Sequence, residues 1–291
     1  MKNHFFISML AAAALLGGLT ACNSKLDKAP RADQVPENAV RITASIGNPF
    51  AATRSMPLGT EEEQGKFNVG DEIFVHTANL QRATYRFDGT AWAPKEGEYL
   101  LWKEEDMEHF VASYPAELGL AIINGESYAH TTDQSSTEKI AKADIMQGIL
   151  NKEKTKEALH FTMQRQTARL IVEIAGFKSE FPGDAKVRDV RFHNKNNASA
   201  PQRTYIPYAK GEGKTGSTYT VLVPWNAAYN TISLEVGGKT MTAKLSEISY
   251  CTGQSYTYRL TVGKEKLETT EVTVSDWTGS AVIPGGEAKA N

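Results

Sequence analysis

The side chains best suited to metal binding are scattered along this 291-residue chain. Its six histidines, none of which has a histidine four residues away or a cysteine at ligand spacing, are His4, His76, His109, His130, His160 and His193. Protein zinc sites need three or four such ligands brought together. Asp133, Asp144 and Asp184 likewise lack the spacing of a calcium loop. We therefore predict no metal site, and nothing in the sequence calls for a cofactor.

Two acidic runs, one glycine-rich loop and one cysteine are the remaining candidates for catalysis. Residues 61–63 and 104–106 are consecutive carboxylates, which in turns are normally solvated rather than paired for acid–base work. The loop 211–215 reads Gly-Glu-Gly-Lys-Thr, but Tyr208 stands where a phosphate-binding loop needs its first glycine. Cys251 has no recognisable histidine partner and is expected to be a small core side chain. The sequence therefore predicts a protein that is not an enzyme.

Cys22 suggests a different kind of chemistry because of what precedes it. Lys2 supplies a positive charge, and residues 5–19 are almost wholly apolar. That run is short for a membrane span, which needs ~20 residues, and is typical of a signal peptide. Residues 19–22 read Leu-Thr-Ala-Cys and resemble the lipobox of bacterial lipoproteins, which implies that Cys22 is acylated and becomes the mature N-terminus. An ordinary cleaved signal peptide is the alternative.

Composition limits the partners and the cross-links of the chain. The formal charge of −2 becomes −3 when Lys2 is removed, and no cluster of lysine and arginine appears. Nucleic acid is therefore not an expected partner, since phosphate binding requires a basic face. Cys22 and Cys251 are the two cysteines, so lipidation of the first leaves no intramolecular disulfide. The length suits two domains.

Residues 40–46 show the most regular strand pattern in the chain. Val40, Ile42, Ala44 and Ile46 alternate with polar residues, which predicts a strand with one buried face. The polar stretch that follows is predicted to be an exposed loop, and it contains Arg54 and Ser55.

The rest of the chain predicts an all-β protein with two β-sandwiches and a break near residues 152–156. A single short helix is predicted within residues 136–150, with Ser136 or Thr137 as its cap. Strands are predicted at residues 72–77, 85–88, 91–93, 99–102, 109–114, 159–163, 168–175, 187–193, 219–223, 232–236, 240–245, 256–262 and 271–274.

Several short motifs follow one another in a recognisable order. In the first half these include Phe-Asn-Val-Gly-Asp-Glu-Ile at 67–73 and Ala-Ser-Tyr-Pro at 112–115. In the second half they include Leu-His-Phe-Thr-Met at 159–163, the strand 256–262 and Val-Ser-Asp-Trp at 274–277. Their joint order resembles the fimbrillin-like proteins of Gram-negative gut and oral anaerobes, and the resemblance extends from the lipobox almost to the C-terminus.

This resemblance implies a type V pilin with two transthyretin-like β-sandwich domains in tandem. The implied segments are a lipoprotein signal peptide at 1–21, a lipidated tether with a removable strand at 22–54, and domains at 55–154 and 155–291. An arginine-specific protease would cut this outer-membrane lipoprotein precursor between Arg54 and Ser55. A strand from another pilin subunit would then replace the strand containing Val40, Ile42, Ala44 and Ile46.

A surface glycan-binding lipoprotein that does not polymerise is the alternative. Exposed aromatic rings would favour it, with host glycans or host proteins as partners, and the candidate rings are Trp92, Trp102, Trp225 and Trp277.

The C-terminal tail 280–291 contains Pro284 and two glycines, so we do not expect it to supply a donor strand.

Overall fold

A computed structural model describes residues 35–47 and 66–284, apart from 96, 104–106, 127–129, 182, 184, 195–201, 225–228, 246–249, 264–266 and 277–278. Within these residues the chain forms seventeen strands and two short helices. The prediction of an all-β fold is therefore confirmed. Neither of the described helices is long and apolar enough to cross a membrane.

The first β unit is a seven-stranded sheet. Its strands are β1 (Ile42–Ile46), β2 (Glu72–Thr77), β3 (Arg82–Phe87), β4 (Trp92–Pro94), β5 (Glu108–Tyr114), β6 (Met146–Lys152) and β7 (Leu159–Arg165). They lie in the order β1-β7-β6-β5-β2-β3-β4. The pair β1 and β7 is parallel, whereas the other pairs of this sheet are antiparallel.

The second β unit contains two sheets. Its strands are β8 (Thr167–Phe177), β9 (Val187–Asn194), β10 (Thr204–Tyr205), β11 (Tyr208–Lys210), β12 (Thr218–Pro224), β13 (Tyr229–Val236), β14 (Lys239–Lys244), β15 (Gln254–Val262), β16 (Leu267–Asp276) and β17 (Gly279–Pro284). One sheet has the order β10-β9-β13-β14 and the other has the order β11-β12-β8-β15-β16-β17.

Alternating side chains build a separate apolar core in each unit. In β7, Leu159, Phe161 and Met163 are buried while the residues between them are exposed, as expected for a strand with one solvated face. In β8, Leu170 and Val172 enter the second core, but the opposite face of this strand is also buried. Both faces of β8 are therefore covered, which explains the unbroken run of apolar residues in this strand.

Two helices lie between the strands, α1 (Ala116–Ile123) and α2 (Thr137–Lys142). The sequence did not predict α1. It packs on the outer face of the first sheet, where a Cβ at Gly119 would lie 2.5 Å from Cδ1 of Phe74, so a residue without a side chain is required. Ser136 caps α2 as expected, its Oγ accepting from the backbone N–H of Lys139 at 3.3 Å.

Two expected boundaries need correction. The helix predicted within 136–150 ends at Lys142, because Met146–Lys152 pairs with β5 as a strand. Of the strand predicted at 99–102, Leu101 forms an isolated bridge to Ala39. That the tail does not supply a donor strand stays a prediction; within the chain it forms a strand at Gly279–Pro284, which pairs with β16 at a sheet edge that tolerates proline.

The predicted division between residues 154 and 155 stays a prediction. Strand β7 lies in the first sheet and β8 in the six-stranded sheet, so the chain passes from one sheet to the other at Gln166. The connection 153–158 joins two strands of the first sheet. A sequence break marked by polar residues indicated a loop here, but a loop does not say which sheet the next strand joins.

Candidate functional site

The N-terminal segment, defined as residues 38–47, contains the strand singled out in the sequence. Val40, Ile42 and Ile46 are 4%, 3% and 7% exposed and belong to the first core. Ala44 is partly buried against the same core. Cys22, Arg54 and Ser55 lie outside the described residues.

Two consecutive parts of this segment form backbone hydrogen bonds with two different parts of the first β unit. Its beginning pairs with residues 100–102, through the Val40 N–H to the Leu100 carbonyl at 2.8 Å and the Trp102 N–H to the Asn38 carbonyl at 2.9 Å. Its later part is β1, which runs parallel to β7 from Ile42 to Ile46. The sequence predicted β1 but gave no sign of its partners, because both are distant in the chain.

Backbone hydrogen bonds hold both ends of β1 against β7. The Leu159 N–H donates to the Arg41 carbonyl, and the Gly47 N–H donates to the Met163 carbonyl, each at 2.8 Å. Gly47 also has a steric role, because a Cβ there would lie 2.4 Å from Nε2 of Gln164. A larger residue at this position would require the side chains of Gln164 and Thr162, or the end of β1, to shift.

A buried tyrosine forms a hydrogen bond with the backbone near the start of the segment. The Tyr85 hydroxyl donates to the Val40 carbonyl at 3.0 Å, and Tyr85 is 1% exposed. Burial raises the pKa of this phenol above its ordinary value, so it stays a donor at physiological pH. The bond therefore satisfies a carbonyl that would otherwise be costly to bury.

His160 binds β1 from the solvent side. Its Nδ1 lies 3.0 Å from the Thr43 hydroxyl, and its Nε2 lies 2.9 Å from the Ser45 hydroxyl. Because residues two apart in a strand share a face, one imidazole reaches both hydroxyls. The strand is thus bonded through its backbone, its buried face and its exposed face.

Strands β6 and β7 diverge next to this segment. Within the described residues their ladder consists of Met146 with Arg165 and Gln147 with Gln164. Beyond these pairs β7 continues beside β1, whereas β6 continues beside β5. Residues 159–163 of β7 therefore take their ladder partner from the N-terminal segment.

Comparison with protein families places this arrangement in a known group. The model of the fimbrillin-like family matches residues 59–277, which is most of the chain. The chain belongs to the fimbrillin-like family. The resemblance drawn from the motif order is thereby confirmed.

Two of the solved structures similar to this fimbrillin-like chain, both with TM-scores above 0.5, share its fold at low identity. A candidate cell adhesion protein from Bacteroides uniformis is 16% identical, with a TM-score of 0.55 over 84% of this chain and 100% of the other. One from Bacteroides ovatus is 13% identical, with a TM-score of 0.54 over 88% and 98%. The tip fimbrial protein Mfa3 from Porphyromonas gingivalis, with a C-terminal truncation, is 14% identical, with a TM-score of 0.40 over 73% and 92%. No curated protein matches the chain.

Other sequence candidates in this fimbrillin-like chain do not converge on a site. Trp92 and Trp102 are 9% and 8% exposed in the first core, so neither offers a ring for stacking, and Trp225 and Trp277 lie outside the described residues. Cys251 is exposed rather than buried, which corrects the expectation of a core side chain. Across the described part of the chain no group of three potential metal ligands occurs.

Proposed function

We propose that this chain is the precursor of a fimbrial subunit that serves adhesion at the cell surface. It is exported as an outer-membrane lipoprotein anchored through Cys22. An arginine-specific protease cuts it after Arg54, and a strand from a neighbouring subunit then replaces β1. Membership of the fimbrillin-like family supports the fimbrial role.

The observation that carries this proposal is the position of the N-terminal segment. Its apolar side chains Val40, Ile42 and Ile46 complete the first core, yet only non-covalent contacts join it to the rest of the unit once residues 48–65 are cut. Loss of the segment would leave β7 without a partner along residues 159–163, beside an apolar trough. An unpaired strand edge with pockets for alternate side chains is what β-augmentation requires.

The proposed cleavage site lies in the stretch that links the N-terminal segment covalently to the rest of the chain. Residues 48–65 connect Gly47 to Lys66 and contain Arg54. A cut there turns an intramolecular strand into a separate peptide, and its release is then favoured by dilution. The lipid on Cys22 would leave with that peptide, which would free the subunit from the membrane.

The experiment is treatment of the purified precursor with an arginine-specific protease, followed by size analysis. We expect the native protein to lose residues 22–54 and to form higher oligomers. Arg54→Lys should remain uncut and monomeric, because lysine keeps the charge but not the protease specificity. Arg41→Lys is the control, since this exposed arginine lies in the N-terminal segment and its replacement should leave cleavage and assembly unchanged.

Two results would contradict the proposal. Oligomers formed equally by the Arg54→Lys form would show that cleavage at Arg54 is not the trigger. A cut protein that keeps residues 22–54 and stays monomeric in the presence of an excess of cut subunits would show that β1 is not exchanged.

A further inference from the structure

A cleft lies where the two β units and α2 meet. Its volume is about 340 Å³, near the lower end of the range for small-molecule sites. Its floor is the outer face of the six-stranded sheet, with Arg169, Thr220 and Leu222. Its walls come from α2 on one side and from Phe67 and Arg165 of the first unit on the other.

Cations outnumber carboxylates among the described side chains that line the cleft. Lys66, Arg165 and Arg169 face Asp71 and Asp144. Burial raises the pKa of Asp71, because an apolar surrounding disfavours the charged form of its carboxyl group. The cleft is therefore suited to an anion.

The two arginines are buried and fixed in position. Arg165 Nε donates to the Asp144 carboxylate at 2.9 Å, and Arg169 Nε donates to the Ser255 hydroxyl at 2.8 Å. Burial, and then the nearby charge of Arg165, lower the pKa of Arg169 to about 10, so the Arg169 guanidinium still carries its charge at pH 7. Fixed guanidinium groups lose little entropy when they receive a carboxylate.

Thr220 adds a polar atom with no role in the fold. Its side chain is completely buried on the cleft side of β12, and its hydroxyl has no hydrogen-bond partner among the described residues. Such a group costs about 1–3 kcal/mol unless something bonds to it. A hydroxyl can donate to a ligand oxygen, so Thr220 and the arginines favour the same chemistry.

The remaining lining limits the size and nature of the ligand. Phe67, Ile140 and Leu222 contribute apolar surface around these polar groups. A few converging polar groups on an apolar lining are typical of a small-molecule site. We propose that the cleft binds a compact carboxylate-bearing molecule, with its carboxylate toward Thr220, Arg165 and Arg169 and its carbon skeleton toward the apolar side chains.

The test is calorimetric titration of the full chain at pH 7 with three probes. Glucuronate represents a sugar acid, N-acetylalanine represents a peptide C-terminus, and glucose is a neutral molecule of similar size to glucuronate. We expect at least one of the two acids to bind saturably and at least tenfold more tightly than glucose. Which acid binds better distinguishes the two sources of carboxylate.

A matched pair of variants locates the binding. Thr220→Val removes the cleft hydroxyl and should lower the affinity for the acid about tenfold, as the loss of a hydrogen bond to a charged group does. Thr77→Val removes an equally unpartnered hydroxyl from a 2% exposed threonine of β2, outside the cleft lining, and should leave affinity unchanged. Because each change removes an unpartnered polar atom, both variants should remain folded.

Three results would overturn the inference. They are the absence of saturable binding by both acids, equal binding of glucose, and an acid affinity that Thr220→Val leaves unchanged. The inference does not depend on cleavage at Arg54, since the titration uses the uncut chain.

Discussion

Two histidines in this chain make the same kind of contact in different places. His160 lies between Thr43 and Ser45 of β1, whereas His193 lies between Thr204 and Ser233 of the second unit. Residue spacing alone did not single out either histidine, because the contacts join residues far apart in the chain. Each imidazole connects neighbouring strands.

This pair gives a matched test of what retains β1. His160→Ala should cost about 1 kcal/mol in the free energy for release of β1, because two exposed hydrogen bonds are lost. Amide hydrogen exchange at residues 43–46 should therefore become about five times faster. His193→Ala should not change exchange at these residues, although it removes two similar bonds. Equal exchange in the two variants would contradict a role for His160.

His130 is a buried residue with a measurable effect on stability. It is 5% exposed, its Nε2 lies 3.0 Å from the Ala143 carbonyl, and its ring is near Tyr205. Burial lowers its pKa to about 4, against the favourable contact with that carbonyl. The imidazole of His130 therefore stays neutral in the folded protein over a pH range in which the same imidazole is protonated in the unfolded chain.

Stability should fall as the pH is lowered through this range. Between about pH 6.5 and pH 4 the unfolded state binds more protons at His130, so the free energy of unfolding decreases by about 3 kcal/mol toward pH 4. Urea unfolding at pH 7, 5.5 and 4 measures this loss. His130→Gln cannot take up the proton and should lose correspondingly less stability. The same pH dependence in both proteins would contradict the assignment.

At the scale of elements, β1 shows which structural features a sequence pattern predicts and which it does not. The alternation of Val40, Ile42, Ala44 and Ile46 correctly indicated which face is buried, because a strand has a period of two. Most of the other strands were predicted for the same reason, but β6, β10 and β11 were not. Helix α1 and strand β17 were also missed, since a glycine inside one and a proline at the end of the other hide their patterns.

The fit of β1 can be tested with peptides. After cleavage and removal of residues 22–54, a synthetic peptide of residues 38–47 should rebind and restore the unfolding midpoint of the uncut protein. A peptide with Ile42 and Ile46 both changed to Asn should not, because it buries amides in the first core. Arg41→Ala, which changes an exposed side chain, is the control peptide and should bind nearly as well. Equal binding of all three would contradict a specific groove.

At the scale of the molecule, a single glutamine helps to join the two β units. The Gln134 amide donates to the Leu222 carbonyl and accepts from the Leu222 N–H, each at 2.7 Å. Strand β11 pairs with β12 as far as Thr220, so the glutamine occupies the next position along that edge. Asp133 forms a bridge to Ile206 beside it. No sequence pattern reveals a side chain that replaces a strand.

Removing this contact should weaken the whole chain. Gln134→Ala leaves a buried N–H and a buried carbonyl unpaired and should lower the free energy of unfolding by about 3 kcal/mol. Gln166→Ala is the control, because its amide bonds to the Gln164 carbonyl at the surface, and it should cost well under 1 kcal/mol. Urea unfolding followed in both units measures the difference. Equal stability of the two variants would contradict a joining role for Gln134.

The cleft between the two β units and α2 also belongs to this scale. Its lining residues come from seven elements and two loop positions, namely β1, β5, β6, β7, β8, β12, α2, the chain at 66–71 and Asp144, and no short motif brings them together. The sequence predicted the strands that carry Arg169 and Thr220 but not the position of α2 against them. Sites built from several distant elements are visible only when packing is known.

The most direct test of the proposed maturation is the N-terminal sequence and intact mass of the protein sheared from the cell surface. We predict a polymeric subunit that begins at Ser55, has no lipid and lacks residues 40–46. A lipidated protein that begins at Cys22 and remains monomeric on the cell would contradict assembly through cleavage and strand replacement.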